Sequence, residues 1–353
     1  MKKLFKILTL ALVAAVCAVG LFACEDGGSD SGKSGLLYKM YEGDDFYTVY
    51  KYVKVEGETE LNIGDFNKDG VVIKRIKKGA FKDNDTLVKI TVPDTVETID
   101  GGAFANMTAL KELDLPFIGK TAVADVYLNS TPDDKATEKS VGGERNFGYI
   151  FGTEEYDGGV KCDQNYDATN TATYYLPDTL RVVKVNPKAD NYGIPMYAFA
   201  GNAWVNEIVL SDNVKEIGEA AFKDNVYAAE VNLGKITKIY DNAFNGAKYL
   251  TAADITGLTE EMGNNCFTNC TALKTVSVNS DIKADAFNGC TALTTLNIGE
   301  NVKIIGARAF YGCDNLIDEK ITVAGAELWQ VNNFSKALNS ENIKENYNFA
   351  WSR

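Results

Sequence analysis

The chain has 353 residues, 36 of them Lys or Arg and 49 Asp or Glu, giving a formal net charge of −13, and it contains no histidine. That excess of acid counts against phosphate backbones and anionic lipid surfaces as partners. Without imidazole the familiar serine and cysteine triads and the zinc hydrolase sites cannot be assembled, so neither a metal nor a cofactor is expected.

In chain order, Lys2, Lys3 and Lys6 precede an apolar run from Ile7 to Ala23, too short and wrongly flanked for a permanent span. Leu21-Phe22-Ala23-Cys24 reads as a lipobox, the signal at which bacteria diacylate the cysteine and cleave before it. Residues 1–23 are therefore expected to be a lipoprotein signal peptide, with Cys24 as the lipidated residue. Residues 24–35, rich in Gly, Ser and Asp, form a flexible tether. Loss of the leader leaves 33 basic against 49 acidic residues, a net charge of −16. The expected location is the bacterial cell surface, lipid-anchored to the membrane and outside the cytoplasm.

Residues 36–75 are expected to form an N-terminal cap, with strand-like sequence from Phe46 to Val55 and a hairpin around Leu61-Asn62-Ile63. Asp65-Phe66-Asn67-Lys68-Asp69-Gly70 matches the first half of a calcium loop. Its twelfth position, however, is Ile76, where chelation needs an acid, so a polar turn before a strand at Val71-Val72-Ile73 explains it more simply.

A repeat dominates residues 76–325. An Ala-Phe-type dipeptide recurs with Phe at 81, 104, 199, 222, 244, 267, 287 and 310, mostly at steps of 20 to 23 residues. Five residues before each Phe the position is always apolar (Ile76, Ile99, Ile194, Ile217, Ile239, Met262, Ile282 and Ile305). The positions six and eleven after it, such as Leu87 and Val92 or Leu293 and Ile298, never carry a charge. Nine after Phe stand Ile90, Leu113, Ile208, Val231, Ala253, Val276 and Leu296, with Glu319 departing in the last copy. Positions nine and eleven lie two apart, so both side chains leave one face of a short strand. One such unit cannot bury its own face, and stacking turns each column into a buried ladder. The eight Phe residues (Phe81, Phe104, Phe199, Phe222, Phe244, Phe267, Phe287 and Phe310) are thus the expected repeat core.

The 95-residue step from Phe104 to Phe199 holds an irregular insert at about 117–173. Near its end Tyr174 stands where Phe would be, with Leu180, Val183 and Val185 in the six, nine and eleven columns. Phe147, Ile150 and Phe151 are expected to pack the insert onto the repeats. Tyr149, Tyr156 and Tyr166 are the candidate ligand contacts, since aromatic side chains on a loop bury large area at small entropic cost. Glu154, Glu155 and Asp157 offer carboxylates, but clustering in sequence does not set the separation that glycoside hydrolysis requires. No catalytic residue is assigned, and the chain is read as a non-enzyme. Residues 326–353 lose the frame yet keep Trp329, Phe334, Tyr347 and Trp351, as a C-terminal cap would.

Cys270, Cys290 and Cys313 share the column three after Phe, and Cys266 takes the small position before Phe267. With Cys162 they make an odd number, and buried free thiols are the expectation.

The frame Ile-Gly-x-x-Ala-Phe-x-x-Cys-x-x-Leu-x-x-Val-x-Ile, seen most plainly at 282–298 and 305–316, resembles the BspA-like family of bacterial leucine-rich repeats over about 76–116 and 174–325. That resemblance implies a mostly β, right-handed solenoid of short parallel strands. It also implies a secreted or surface-attached protein that binds an extracellular protein or glycan. The scaffold does not name the ligand. An enzyme or accessory module acting on polysaccharide and a structural envelope spacer are the alternatives.

Overall fold

The computed structural model describes residues 35–122, 128, 142–201, 205–225, 229–260, 262–316, 321–324 and 347–348. Cys24, Ala228, Glu319, Trp329, Phe334 and Trp351 lie outside the described residues.

The chain is a solenoid whose turns contribute to stacked parallel ladders. On one wall Glu60–Asn62, Lys89–Thr91, Glu112–Leu115, Val182–Val185, Glu207–Leu210 and Glu230–Val231 form a six-stranded parallel sheet. A second parallel sheet of Ala252–Ile255, Thr275–Val278, Thr295–Ile298 and Ile321–Val323 follows. The nine-column side chains meet in register, Leu61 on Ile90, Ile90 on Leu113, Leu113 on Val183 and Val183 on Ile208. A one-residue slip would turn the whole apolar set to solvent, so burial fixes the register. The column five before Phe forms the opposite wall, where Ile76 pairs with Ile99 and Ile194 with Ile217.

Between the walls runs the Phe column. The N–H of Phe81 and of each Phe from Phe199 to Phe287 donates to the carbonyl just before the Phe of the next repeat, as from Phe222 to Ala243 at 2.7 Å. From Phe199 to Phe310 successive rings lie 4.8–5.2 Å apart and within 12° of parallel. All eight Phe side chains are buried, as expected. The backbone turns sharply on either side of the ring. Two residues before Phe, φ is between 52° and 72°, and two after, between 53° and 77°. Left-handed backbone favours Gly, Asn and Asp, which fill most of these positions, with Tyr197, Ala220 and Arg308 as exceptions.

Three expectations change. Leu61 does not sit in a hairpin: Glu60–Asn62 pairs with Lys89–Thr91, while Ile73–Ile76 pairs with Tyr47–Tyr52 in another sheet. Leu61 and Ile63 stand nine and eleven after Tyr52, whose ring stacks on Phe81 at 5.9 Å, so the N-terminal region contains a further turn with Tyr in place of Phe. The hairpin that does form is Leu36–Met40 against Tyr47–Tyr52.

In the last turn, Ile321 pairs with Leu296 and Val323 with Ile298, two residues later than the frame places them. A two-residue shift keeps the same face inward, so the apolar ladder continues past Glu319.

Tyr174 does not enter the Phe column. A 3₁₀ turn, Phe147–Ile150, supplies that turn instead: Phe104 N–H donates to Ile150 and Phe147 N–H to Ala198, both the ladder bond of a regular repeat. Phe151 faces Phe104 at 6.3 Å, Phe147 faces Phe199 at 5.2 Å, and the two rings touch edge to face at 5.3 Å. Phe147, Ile150 and Phe151 are buried, as expected. After this turn the chain leaves as an antiparallel hairpin, Gly159–Asn165 with Thr171–Pro177, and rejoins the frame at Leu180.

Cys162, Cys266, Cys270, Cys290 and Cys313 are buried thiols that form no disulfide with one another. In the column three after Phe, Cys270 donates to Phe244 O at 3.1 Å, Cys290 to Phe267 O at 3.2 Å and Cys313 to Phe287 O at 3.2 Å. Asn225 makes the same bond to Phe199 O at 3.4 Å. In these four turns the column sets a donor against a buried carbonyl of the preceding turn, while Met107 and Ala247 fill it with apolar groups elsewhere. Burial pushes the Cys266 and Cys290 thiols well above their ordinary range, which leaves them unreactive.

Candidate functional site: a cleft where the insert meets the first repeats

Where the 3₁₀ turn replaces a regular Ala-Phe turn, the wall of the solenoid opens into a cleft of about 480 Å³. Three successive turns build it. Strand Ile73–Ile76 buries both of its ends, Ile73 and Ile76, and turns Arg75 outward, and Lys78, Gly79 and Lys82 follow on the same turn. The next turn supplies Asp100, Gly101, Gly102 and Ala105, and the insert supplies Tyr149, Phe151, Gly152, Thr153 and Glu154.

The floor needs glycine for two separate reasons. Gly102 has φ +71°, and its carbonyl accepts the Gly79 N–H at 3.1 Å. At Gly101 a Cβ would stand 2.9 Å from Cζ of Tyr149, so any side chain there would push the phenol ring out. The Tyr149 backbone carbonyl accepts the Gly102 N–H at 3.0 Å, fixing the insert to the second repeat. Gly101-Gly102 is the only pair of adjacent glycines before an Ala-Phe dipeptide, a sequence signal that was available.

Charge around the cleft is organised in pairs. Arg75 holds Asp100 through Nη2 at 2.9 and 2.8 Å and through Nε at 3.2 Å. Lys82 meets Glu154 at 2.7 Å, and Lys120 meets Glu144 at 2.8 Å. Lys82 hydrogen-bonds Glu154 and holds its carboxyl below the ordinary carboxylate range, the opposite of what a general acid needs. Burial, and then the Glu144 charge, raise the Tyr149 phenol, which stays protonated and keeps its donor.

The three candidate tyrosines are not brought together. Tyr149 lines the cleft. Tyr156 packs on Gly159, where a Cβ would lie 2.9 Å from its ring, and its hydroxyl is buried. Tyr166 stands at the tip of the insert hairpin, its N–H donating to Asn170 O at 3.1 Å. Of the acidic trio, Glu154 is paired with Lys82, Glu155 accepts from Tyr175 at 3.3 Å, and Asp157 is exposed. In the half calcium loop the Asn67 side chain is committed to the fold, accepting Ile73 N–H at 2.8 Å and donating to Thr95 at 2.7 Å.

Two residues that sequence gave no reason to choose hold the insert in place. Buried Gln164 accepts the Gly148 N–H at 2.6 Å and donates to the Ala198 and Ala200 carbonyls, each at 3.2 Å. Buried Asn146 donates to Asn165 O at 2.8 Å and Tyr197 O at 3.0 Å. Both add side-chain donors to backbone carbonyls of the repeats, including Ala198 O, which also accepts the Phe147 N–H at 2.8 Å, and Tyr197 O, which also accepts the Ala200 N–H at 3.1 Å. No helix among the described residues is long and apolar enough to cross a membrane, and no cluster of metal-binding side chains occurs among them.

Comparison with curated proteins gives no match. Among solved structures, a leucine-rich repeat protein from Eubacterium ventriosum is 19% identical, with 80% of this chain and 81% of that one covered and a TM-score of 0.35. A leucine-rich cell surface protein from Faecalibacterium prausnitzii is 14% identical, covering 77% and 95% with a TM-score of 0.33. The T. pallidum leucine-rich repeat protein is 14% identical, covering 89% and 97% with a TM-score of 0.30. The model of the BspA type leucine-rich repeat region matches six copies, at residues 68–130 and 192–317, more than half of the chain. With its stacked strands and continuous Phe column, the chain belongs to the BspA-type leucine-rich repeat family.

Proposed function

We propose that this chain is a lipid-anchored binding protein of the bacterial cell surface, held by Cys24 and engaging an extracellular ligand at the cleft between the first repeats and the insert. The observation that carries this reading is the cleft itself: a concave, glycine-floored site with one half-buried aromatic ring and fixed charged groups, where a regular solenoid wall would be nearly flat. An adhesive role fits a repeat scaffold, whose broad faces suit macromolecules. Binding without turnover is expected, because the chain has no histidine and the cleft carboxylates are tied to cations.

The test is a binding screen of the full chain against matrix proteins, mucin and bacterial and plant glycans, with product release followed in parallel. Tyr149→Ala should weaken whatever binding is found by about tenfold or more, the loss of one good contact. Product release would support the polysaccharide-enzyme alternative, and binding indifferent to Tyr149 would remove the cleft from the function.

A further inference from the structure

We propose that the cleft takes a neutral saccharide, its hydroxyls shared between the Arg75–Asp100 and Lys82–Glu154 pairs and its ring set against Tyr149. This rests on the cleft being the ligand site. The argument begins with charge. The cleft lies in an acidic chain yet gathers Arg75, Lys78, Lys82 and Lys120, which would suit an anion if they were free. Three are already matched, Arg75 to Asp100 at 2.8 Å, Lys82 to Glu154 at 2.7 Å and Lys120 to Glu144 at 2.8 Å. An acidic ligand could meet Lys78 alone, whereas taking any of the other three cations would break a pair and leave a carboxylate facing it.

A hydroxyl group meets no such conflict. It donates and accepts, whereas a guanidinium or ammonium only donates and a carboxylate only accepts. Each ion pair therefore sets a fixed donor beside a fixed acceptor, the arrangement that neighbouring hydroxyls of a sugar satisfy together. Bidentate contact to Asp100 holds the Arg75 fork in one orientation, so little freedom is lost on binding.

The remaining features agree. The half-buried Tyr149 ring is kept in place by the absence of a side chain at Gly101, and its electron-rich face attracts the polarised C–H groups of a pyranose. About 480 Å³ lies within the range of small-ligand sites. A peptide anchor or apolar ligand is disfavoured, since the cores of protein interfaces are depleted of charge and this cleft is ringed by it.

The experiment is calorimetric titration of the full chain with glucan, mannan and galactan tetrasaccharides, with a tetragalacturonate, and with gelatin as the peptide probe. Saturable binding of at least one neutral tetrasaccharide is expected. Tyr149→Ala and Arg75→Gln should each weaken it by about tenfold or more, the loss of one good contact, while Tyr149→Phe, which keeps the ring, retains it. Thermal melts of each variant separate lost contacts from lost fold. Binding of the uronate or gelatin alone, still dependent on Tyr149, would overturn the neutral-saccharide assignment and leave the cleft as the site. Failure of every probe, or binding unaffected by Tyr149→Ala, would overturn both.

Discussion

Phe104 stacks on Phe81 at 5.1 Å and 11° on one side, but on the other it meets Phe151, tilted at 6.3 Å and 48°, inside a segment with no repeat frame. Through Phe147, 5.2 Å from Phe199, the aromatic column continues unbroken into the second half of the solenoid.

The insert is therefore part of the core, and Phe151→Ala should destabilise the chain by about 3–5 kcal/mol, as deletion of a buried Phe does elsewhere. Phe222→Ala, in the regular array, should cost about the same. Denaturant melts measure both. Because Phe151 bridges two blocks of repeats, its variant should also lose the single transition and melt in two steps. A shift below about 1 kcal/mol would show that the insert lies outside the core.

The cysteine column makes a second claim. Cys290 donates to Phe267 O at 3.2 Å in a fully buried site. Cys290→Ala removes one of the two donors to that carbonyl, leaving the Cys270 N–H at 3.2 Å, and should cost about 0.5–1.5 kcal/mol, with Cys290→Ser milder because it restores a donor. In the native state Cys266 and Cys290 should resist alkylation, and denaturant should release them. Rapid native labelling of either would contradict the burial that raises both thiols.

Acid should weaken one repeat contact in a defined window. Arg308 donates to Asp285 through Nε at 2.9 Å and Nη2 at 2.7 Å and holds that carboxyl below its ordinary value. Since the folded pKa lies below the unfolded one, about 3.9, the stability this pair contributes is present above that value and is lost as pH falls through the folded pKa. The stability difference between the parent chain and Asp285→Asn should therefore stay constant near neutrality and shrink below about pH 4. A difference independent of pH down to full acid unfolding would show that the ion pair contributes nothing.

For the anchor, Cys24→Ser should abolish incorporation of a labelled fatty acid and block leader processing, because only a thiol accepts the diacylglycerol. Label retained by the Ser variant would refute the lipobox reading.

The sequence by itself determined the repeat. Phe, Ile and Leu columns recur at fixed offsets because every turn must bury the same inward face, and Gly, Asn and Asp flank Phe because the backbone there is left-handed. Those demands are local and periodic, so counting finds them. The sequence did not determine what happens where the period breaks. Tyr174 has the correct spacing to Leu180, yet Phe147 and Phe151 take the column, because a 3₁₀ turn satisfies the ladder amides on both sides while the hairpin carries Tyr174 away. Ile321 moves to the nine column because pairing with Leu296 continues the inward face, which outweighs the residue count. The cleft was likewise a tertiary outcome: Arg75, Asp100 and Tyr149 come from three turns, and the insert is held at that edge by backbone bonds such as Gly102 N–H to Tyr149 O and by the buried donors of Gln164 and Asn146. Contacts made across the break in the period follow from packing, and no spacing along the chain encodes them.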